Sequence, residues 1–270
     1  MEAYLILPEH KMPPFSLTVM IPALNEEQVL ESTFNNVIQA AQKINGLTLD
    51  VVIVNDGSSD NTRKVADSIQ QKHESTRVIH HSTNRGIGAS LQEVVKDAEG
   101  EKIVIIPGDN DLPFDLIYSL FSNAHKADLV SCFFLNREKR GRKRNILSTW
   151  FGLFYMIAFN VFLQYINGPC VYPTKMLREL KLISTRFSIV AEINVKLLRK
   201  GVTFHEIAGY MQTGIEGSHS LSSFKSFIEV AITYARLLYD VRWASRAEYN
   251  KLPVRYQEVG TQMAADGTSK

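Results

Sequence analysis

The chain has 270 residues, 45% of them hydrophobic and 21% charged, with a formal net charge of only +2. That is enough to bury one substantial core, and the near-neutral balance excludes a global pull toward nucleic acid, so no nucleic-acid partner is expected. Two cysteines, Cys132 and Cys170, lie in apolar stretches with no metal-site spacing and read as buried free thiols of a reducing compartment.

Residues 1–14 lack a basic start and a long apolar run, so no signal peptide is read there. Residues 17–21 (L-T-V-M-I) form a predicted strand closed by Pro22. Asn25, Glu26 and Glu27 then open a predicted helix, with Leu30, Phe34, Val37, Ile38 and Ala41 on one face. Acidic residues in a first helical turn complement the dipole, so the two glutamates are not by themselves a sign of chemistry. Residues 50–54 (D-V-V-I-V) are a second strand, ending in N-D-G-S-S-D, where Gly57 permits a tight turn and Asp60 or Asn61 can cap a helix running to about Gln71. Asp56 stands at the carboxyl end of that strand, where an acidic residue can accept hydrogen bonds from a nucleotide.

A third strand spans 77–81. It is followed by N-R-G-I-G-A-S at 84–90, which opens a helix to about Asp97. Glycines before a helix let backbone approach a ligand, and a helix N-terminus favours phosphate. The stretch lacks the G-K-[ST] ending of a P-loop and the third glycine of a dinucleotide fingerprint. Residues 103–106 are a strand buried on both faces that ends in G-D-N-D, with Asp109 and Asp111 at its carboxyl end. Two carboxylates this close repel unless a cation lies between them, and a hard divalent ion shared with substrate phosphates fits. A polar turn capping a helix at Asp111 or Asp115 is the alternative. Strands alternating with helices imply a parallel sheet covered on both faces, with Asn25/Glu27, Asp56 and Asp109/Asp111 on one rim.

The stretches I-P-A-L-N-E-E (21–27), V-N-D-G-S-S-D-N-T (54–62), N-R-G-I-G-A-S (84–90) and G-D-N-D (108–111) resemble, in order and spacing, the family 2 glycosyltransferases of the GT-A fold. The likeness covers roughly 16–243 and is greatest to the dolichyl- and undecaprenyl-phosphate sugar synthases. It implies an α/β fold with a Rossmann-like nucleotide-sugar-binding sheet flanked by helices. It implies that Pro22, Asn25, Glu27, Asp56, Arg85 and Asp109 bind the nucleotide, and that Asp109 and Asp111 hold Mg²⁺ or Mn²⁺. Two departures stand out. Pro113 occupies a position where polyprenyl-phosphate mannose synthases often carry a metal-supporting Gln. Those synthases also carry a phosphate-binding Arg shortly before a Gly-x-Ser late in the chain; the stretch here, 210–220 with Ser218, has no Arg, so His219 or Lys225 is the expected replacement.

In the second half, 127–135 is a further strand and 137–144 (R-E-K-R-G-R-K-R) holds six basic residues. The charge-free segment 146–166 carries Trp150, Phe151, Phe154, Tyr155, Phe159, Phe162 and Tyr165. It is about the ~20 residues that span a bilayer, but spanning would split one domain across a membrane. The preferred reading is a membrane-surface unit at 137–166, a helix lying in the interface with the basic run 137–144 on anionic headgroups; a core helix or an oligomer interface are the alternatives. The motif 167–169 (N-G-P) is expected to end that helix. Residues 188–199 are a helix, in which Glu192 resembles the family's acidic residue near the acceptor or else pairs with Lys196 at i,i+4.

The expected layout is an extension at 1–15, a GT-A domain at 16–243 and a polar tail at 244–270. The expected activity is inverting, metal-dependent transfer of a sugar from a UDP- or GDP-linked donor to a polyprenyl phosphate, by a peripheral protein on the cytoplasmic side of a membrane. Catalysis would rest on Asp109, Asp111 and Glu192, with Ser218, His219 and Lys225 on phosphate or acceptor. The alternatives are transfer to a glycan hydroxyl with Glu192 as base, and a nucleotide-sugar-binding protein without turnover.

Overall fold

The β-branched runs read from the sequence become the middle of an eight-stranded sheet in the computed structural model, which describes residues 13–137, 142–186, 188–211 and 224–256, without the side chains of 143, 144 and 224–228. The strands are β1 (Phe15–Ala23), β2 (Leu47–Asp56), β3 (Thr76–His81), β4 (Lys102–Ile105), β5 (Leu129–Phe134), β6 (Cys170–Pro173), β7 (Thr203–Gly209) and β8 (Val254–Arg255), in the order β3-β2-β1-β4-β6-β5-β7-β8. All pairings are parallel except those of β6, which runs antiparallel to both β4 and β5.

Successive side chains of a strand face opposite ways, and the two cores follow that alternation. Val19, Ile21, Val51, Ile53, Val104 and Ile106 face one layer, where helices α1 (Leu30–Gln42), α2 (Thr62–Lys72) and α4 (Phe114–Asn123) supply Leu30, Phe34, Val37, Ile69, Leu120 and Phe121. Met20, Val52, Val54, Ile103 and Ile105 face the other. There α3 (Ile87–Asp97), α5 (Arg142–Phe159), α6 (Thr174–Glu179), α7 (Ile189–Arg199) and α8 (Phe224–Tyr239) pack. A π-helical turn, Asp240–Ala244, extends α8. Cys132 and Cys170 are buried and free, as expected, and burial pushes both thiols up to about 12.

Three expectations need correcting. Asn25, Glu26 and Glu27 do not open α1, which begins at Leu30; Asn25 takes the left-handed conformation, at φ 60°, and turns the chain before the helix. The 146–166 segment is not one helix. It ends at Phe159 because Asn160 adopts φ 53°, a C-terminal position that asparagine tolerates. Beyond it, Val161, Leu163 and Ile166 turn into the core. Third, the fold does not stop at 243: Tyr249 is buried in the core, and β8 pairs with β7 at the sheet edge.

Candidate nucleotide and cation site

The carboxyl ends of β1, β2 and β4 lie side by side, with Ala23 in register with Asn55 and Met20 with Ile105. The backbone past β4 stays bound to β1: Ile106 N donates to Met20 O at 2.9 Å and Gly108 N to Pro22 O at 3.0 Å. Thr33 Oγ1 on α1 donates to Gly108 O at 3.1 Å. The G-D-N-D turn is therefore fixed from two sides before its carboxylates are placed. Asn110 is left-handed, at φ 59°, and accepts Asn36 Nδ2 at 3.0 Å, which turns it toward α1. Asp111 N donates to Asp109 Oδ1 at 3.1 Å.

The turn after β1 is zipped to the turn after β2. Asn25 Oδ1 accepts Ser59 N at 2.8 Å, and Glu27 Oε2 accepts Asn61 N at 2.8 Å and Asn61 Nδ2 at 2.9 Å. In return Glu26 N donates to Thr62 Oγ1 at 2.8 Å. Asn25 and Glu27 thus serve the loop architecture, and Glu26, between them, lies near enough to the D-x-D to be affected by its charge. Burial pushes the Glu26 carboxyl up to about 7, reinforced by the negative charges of Asp109, Asp111 and Asp60. Sequence reasoning set Glu26 aside as a helix-dipole residue. The available signal was the amphipathic phase of α1, which begins at Leu30 and leaves Glu26 outside the helix.

Asp56 occupies the predicted strand end but is almost enclosed. Its Oδ1 meets His81 Nδ1 at 2.7 Å and accepts Arg85 N at 2.8 Å, while Oδ2 accepts Gly86 N at 2.8 Å. Arg85 points to Glu93, with Nη1 to Oε2 at 2.6 Å, and His81 Nε2 lies 3.3 Å from the same carboxylate oxygen. Asp56, His81, Glu93 and Arg85 form one chain of polar contacts that latches the N-R-G turn to the end of β2.

The N-terminus of α3 is not open to a phosphate. Gly88 N and Ala89 N both donate to Thr185 O, at 2.8 and 3.1 Å. A Cβ at Gly88 would lie 2.6 Å from Thr185 C, so this glycine makes room for the 184–186 backbone rather than for a ligand. Glu192, read as an acceptor-side acid or an ion-pair partner, is the ion-pair partner. It is fully buried, its Oε1 lies 2.9 Å from Lys196 Nζ, and its two oxygens accept Ile183 N and Ser184 N at 2.8 Å each. A base has to reach the proton it removes, and in this arrangement Glu192 reaches none outside the core. Ser218 and His219 lie outside the described residues, as does the side chain of Lys225.

Among the described residues no group of three or more His, Cys, Asp or Glu side chains is gathered as a ready metal cage. The donor set still suits a hard divalent ion. Asp109 and Asp111 are carboxylates on a fixed turn, and burial, then their negative charges, pushes the nearby Glu26 carboxyl up to about 7.

A model of the family described as Glycosyl transferase family 2 matches residues 18–187. The chain belongs to that family. Among curated relatives, the dolichyl-phosphate beta-glucosyltransferase of Trichomonas vaginalis is 28% identical over 152 residues, 52% of this chain and 46% of that protein. The human dolichyl-phosphate beta-glucosyltransferase is 33% identical over 108 residues, 38% of this chain and 33% of its own. The dolichol-phosphate mannosyltransferase of Pyrococcus furiosus is 30% identical over 104 residues, 38% of this chain and 28% of its own. The resemblance to the polyprenyl-phosphate branch is thus borne out, although the matches span less than half the length of these relatives.

Two solved structures fix the fold. Mannosyl-3-phosphoglycerate synthase from Rubrobacter xylanophilus has a TM-score of 0.63 at 14% identity, covering 87% of this chain and 76% of its own. Glucosyl-3-phosphoglycerate synthase from Mycobacterium tuberculosis, in complex with Mn²⁺, uridine diphosphate and glucosyl-3-phosphoglycerate, has 0.57 at 17% identity, covering 83% and 80%. The family 2 chain has the GT-A fold, as expected.

Proposed function

We propose that this chain transfers a sugar from a nucleoside-diphosphate sugar to a polyprenyl phosphate at a membrane surface. The observation that carries it is the D-x-D pair, Asp109 and Asp111, on a turn fixed at the rim formed by β1 and β4. Relatives named as dolichyl-phosphate glucosyl- and mannosyltransferases support the acceptor class. A relative in fold that was crystallised with Mn²⁺ and uridine diphosphate supports the donor and ion class.

Asp109 and Asp111 would hold a Mg²⁺ or Mn²⁺ ion, which when bound neutralises charge on the departing diphosphate. The chain's own residues do the positioning. Asn110, tied to Asn36, keeps the two carboxylates on a fixed turn, and the zipped 25–27 and 58–62 turns wall the cleft where the nucleotide lies. A phosphate oxygen of the acceptor is already anionic, so little general-base help is needed, and in-line attack from the face opposite the diphosphate inverts the anomeric centre. A hydroxyl acceptor is the weaker reading, because its one candidate base, Glu192, is fully buried.

The membrane contact rests on α5 and its sequel. Ile146, Leu147, Trp150, Phe154, Ile157 and Phe162 are exposed, with Phe154 at 58% and Phe162 at 65%, next to a basic run that begins at Arg137. Among the described residues no helix is long and apolar enough to cross a membrane, and peripheral binding to the cytoplasmic leaflet fits that surface. The deciding experiment incubates the protein with UDP- and GDP-sugars, a polyprenyl phosphate and Mn²⁺. Labelled sugar in the lipid phase, abolished by EDTA, is the expected result. Metal-dependent donor binding with neither transfer nor hydrolysis would favour a binding protein without turnover.

A further inference from the structure

A second charged recess lies away from the D-x-D rim. It is a pocket of ≈ 460 Å³ between the end of α7, the π-helical turn after α8 and the segment leading to β8. Three arginines line it, Arg199, Arg242 and Arg246, together with Leu238, Trp243 and Tyr249. Its place follows from the topology. Arg199 closes α7 just ahead of β7, and β4, β5 and β7 point the same way because β4 and β5 both run antiparallel to β6 while β7 runs parallel to β5. Arg199 therefore stands at the amino edge of the sheet, whereas Asp109 and Asp111 stand at the carboxyl edge.

Among the described residues no carboxylate pairs with any of the three guanidinium groups. The acidic residues nearest in sequence are committed elsewhere. Asp240 Oδ2 lies 2.9 Å from Lys196 Nζ and its Oδ1 accepts Ser245 Oγ at 2.7 Å; Glu248 Oε1 lies 2.7 Å from Lys200 Nζ. Two of the arginines are anchored through one edge only. Arg199 Nε donates to Tyr249 O at 3.0 Å and Arg242 Nε to Ala158 O at 2.7 Å. Arg199 is only 8% exposed, and burial, then the charge of Arg242, holds its guanidinium below the usual value. Like charges crowded in a half-dry recess are costly unless an anion joins them, and a fork of guanidinium N–H groups matches phosphate oxygens. The volume exceeds what bare phosphate needs and lies in the roughly 300–1,000 Å³ range of small-ligand sites. Trp243, largely exposed, offers a flat apolar wall beside the charges.

We propose that this recess is a second anion site, one that binds a phosphate group with an apolar or planar group attached, at the sheet edge opposite the D-x-D. A phospholipid headgroup and a soluble phosphate ester share that chemistry. The test uses the full chain in EDTA, in an Asp111→Asn background that weakens binding at the other rim, with two probes: inorganic pyrophosphate by calorimetry, and phosphatidylcholine vesicles with or without phosphatidic acid by flotation. Arg246 makes no hydrogen bond or ion pair among the described residues, so Arg246→Gln and Arg246→Glu leave the fold intact, and Arg63→Gln on α2 controls for general charge. Arg246→Gln should weaken binding about tenfold, the scale of one charge-assisted hydrogen bond, and Arg246→Glu should weaken it further, with Arg63→Gln unchanged. Binding of pyrophosphate assigns a soluble ligand; binding only to vesicles containing phosphatidic acid assigns a lipid. If neither probe binds at millimolar concentration, or if both bind equally well to the Arg246→Glu protein, the proposal is overturned.

Discussion

Glu192 Oε1 lies 2.9 Å from Lys196 Nζ with both side chains fully buried, and Lys196 also reaches Asp240 Oδ2 at 2.9 Å. This triad ties α7 to the π-helical turn after α8 and, through the amides of Ile183 and Ser184, to the loop that covers the N-terminus of α3. Removing the Glu192 charge leaves Lys196 with Asp240 as its carboxylate partner and weakens the acceptors of two amides, a loss on the order of 1.5–3 kcal/mol, the scale of hydrogen bonds to a charged group. Glu192→Gln should therefore lower the urea midpoint by a matching amount, while transfer per folded molecule stays within a few-fold of the parent. Parent-like stability combined with a roughly 10²–10⁴-fold loss of transfer would return Glu192 to the role of general base.

Asp111→Asn should leave the fold intact, since the change keeps the side chain's size and the bond from Asp111 N to Asp109 Oδ1. Transfer should fall by about two orders of magnitude or more, the scale of losing a charge-stabilising group, and Mn²⁺ should no longer strengthen binding of a nucleoside diphosphate. Equilibrium dialysis with labelled nucleotide checks the second half. An active Asp111→Asn protein would remove the cation from the mechanism.

Glu26 gives the site a pH signature. Its carboxyl is raised from 4.5 to about 7, so between those values the folded chain binds more protons than the unfolded chain. Stability without cation should then fall as pH rises through that window. Divalent-ion affinity should move the opposite way, rising from pH 6 to pH 8 as the proton leaves. Glu26→Gln should flatten both trends. Thermal melts with and without Mn²⁺ across that range read both, and a parent protein whose Mn²⁺ shift is the same at pH 6 and pH 8 would contradict the cluster.

The α5 surface and the basic run should act together on vesicles. Neutralising Arg140, Arg142, Lys143 and Arg144 removes attraction worth about 1 kcal/mol per residue near an anionic surface, which salt screens. Replacing the exposed Phe154 and Phe162 by Ser removes apolar burial at roughly 25 cal/mol per Å², which salt does not screen. Flotation should therefore weaken mainly at low salt in the first case and at every salt concentration in the second. Wild-type protein that stays soluble with anionic vesicles would leave α5 as an oligomer surface.

The strands were legible because runs such as 50–54 and 103–106 combine β-branched residues with turn residues at their ends, and each lies in the sheet where it was read. The D-x-D turn and the rim were legible for the same reason. What the linear sequence could not show is long-range partnership. Gly86 and Gly88 look like a phosphate loop until Thr185, 97 residues later in the numbering of Gly88, closes over them. Asp56 looks like an open ligand for a nucleotide until His81 and the Arg85 amide fill its oxygens. The 146–166 segment looks like one helix because hydropathy does not register that Asn160 goes left-handed and that Val161, Leu163 and Ile166 then fill the core.

Asn110 also sets what mutation can do to the D-x-D turn. Its left-handed backbone admits few residues cheaply, chiefly Gly, Asn and Asp. Of these, Gly cannot accept the Asn36 amide, whereas Asn and Asp can. Geometry therefore passes two residues, and charge separates them. Asp at 110 would set another negative group next to Asp109 and Asp111, whose charges already reinforce the effect of burial in raising the Glu26 carboxyl. The position is a filter with two gates, one steric and one electrostatic, and asparagine is the residue that passes both.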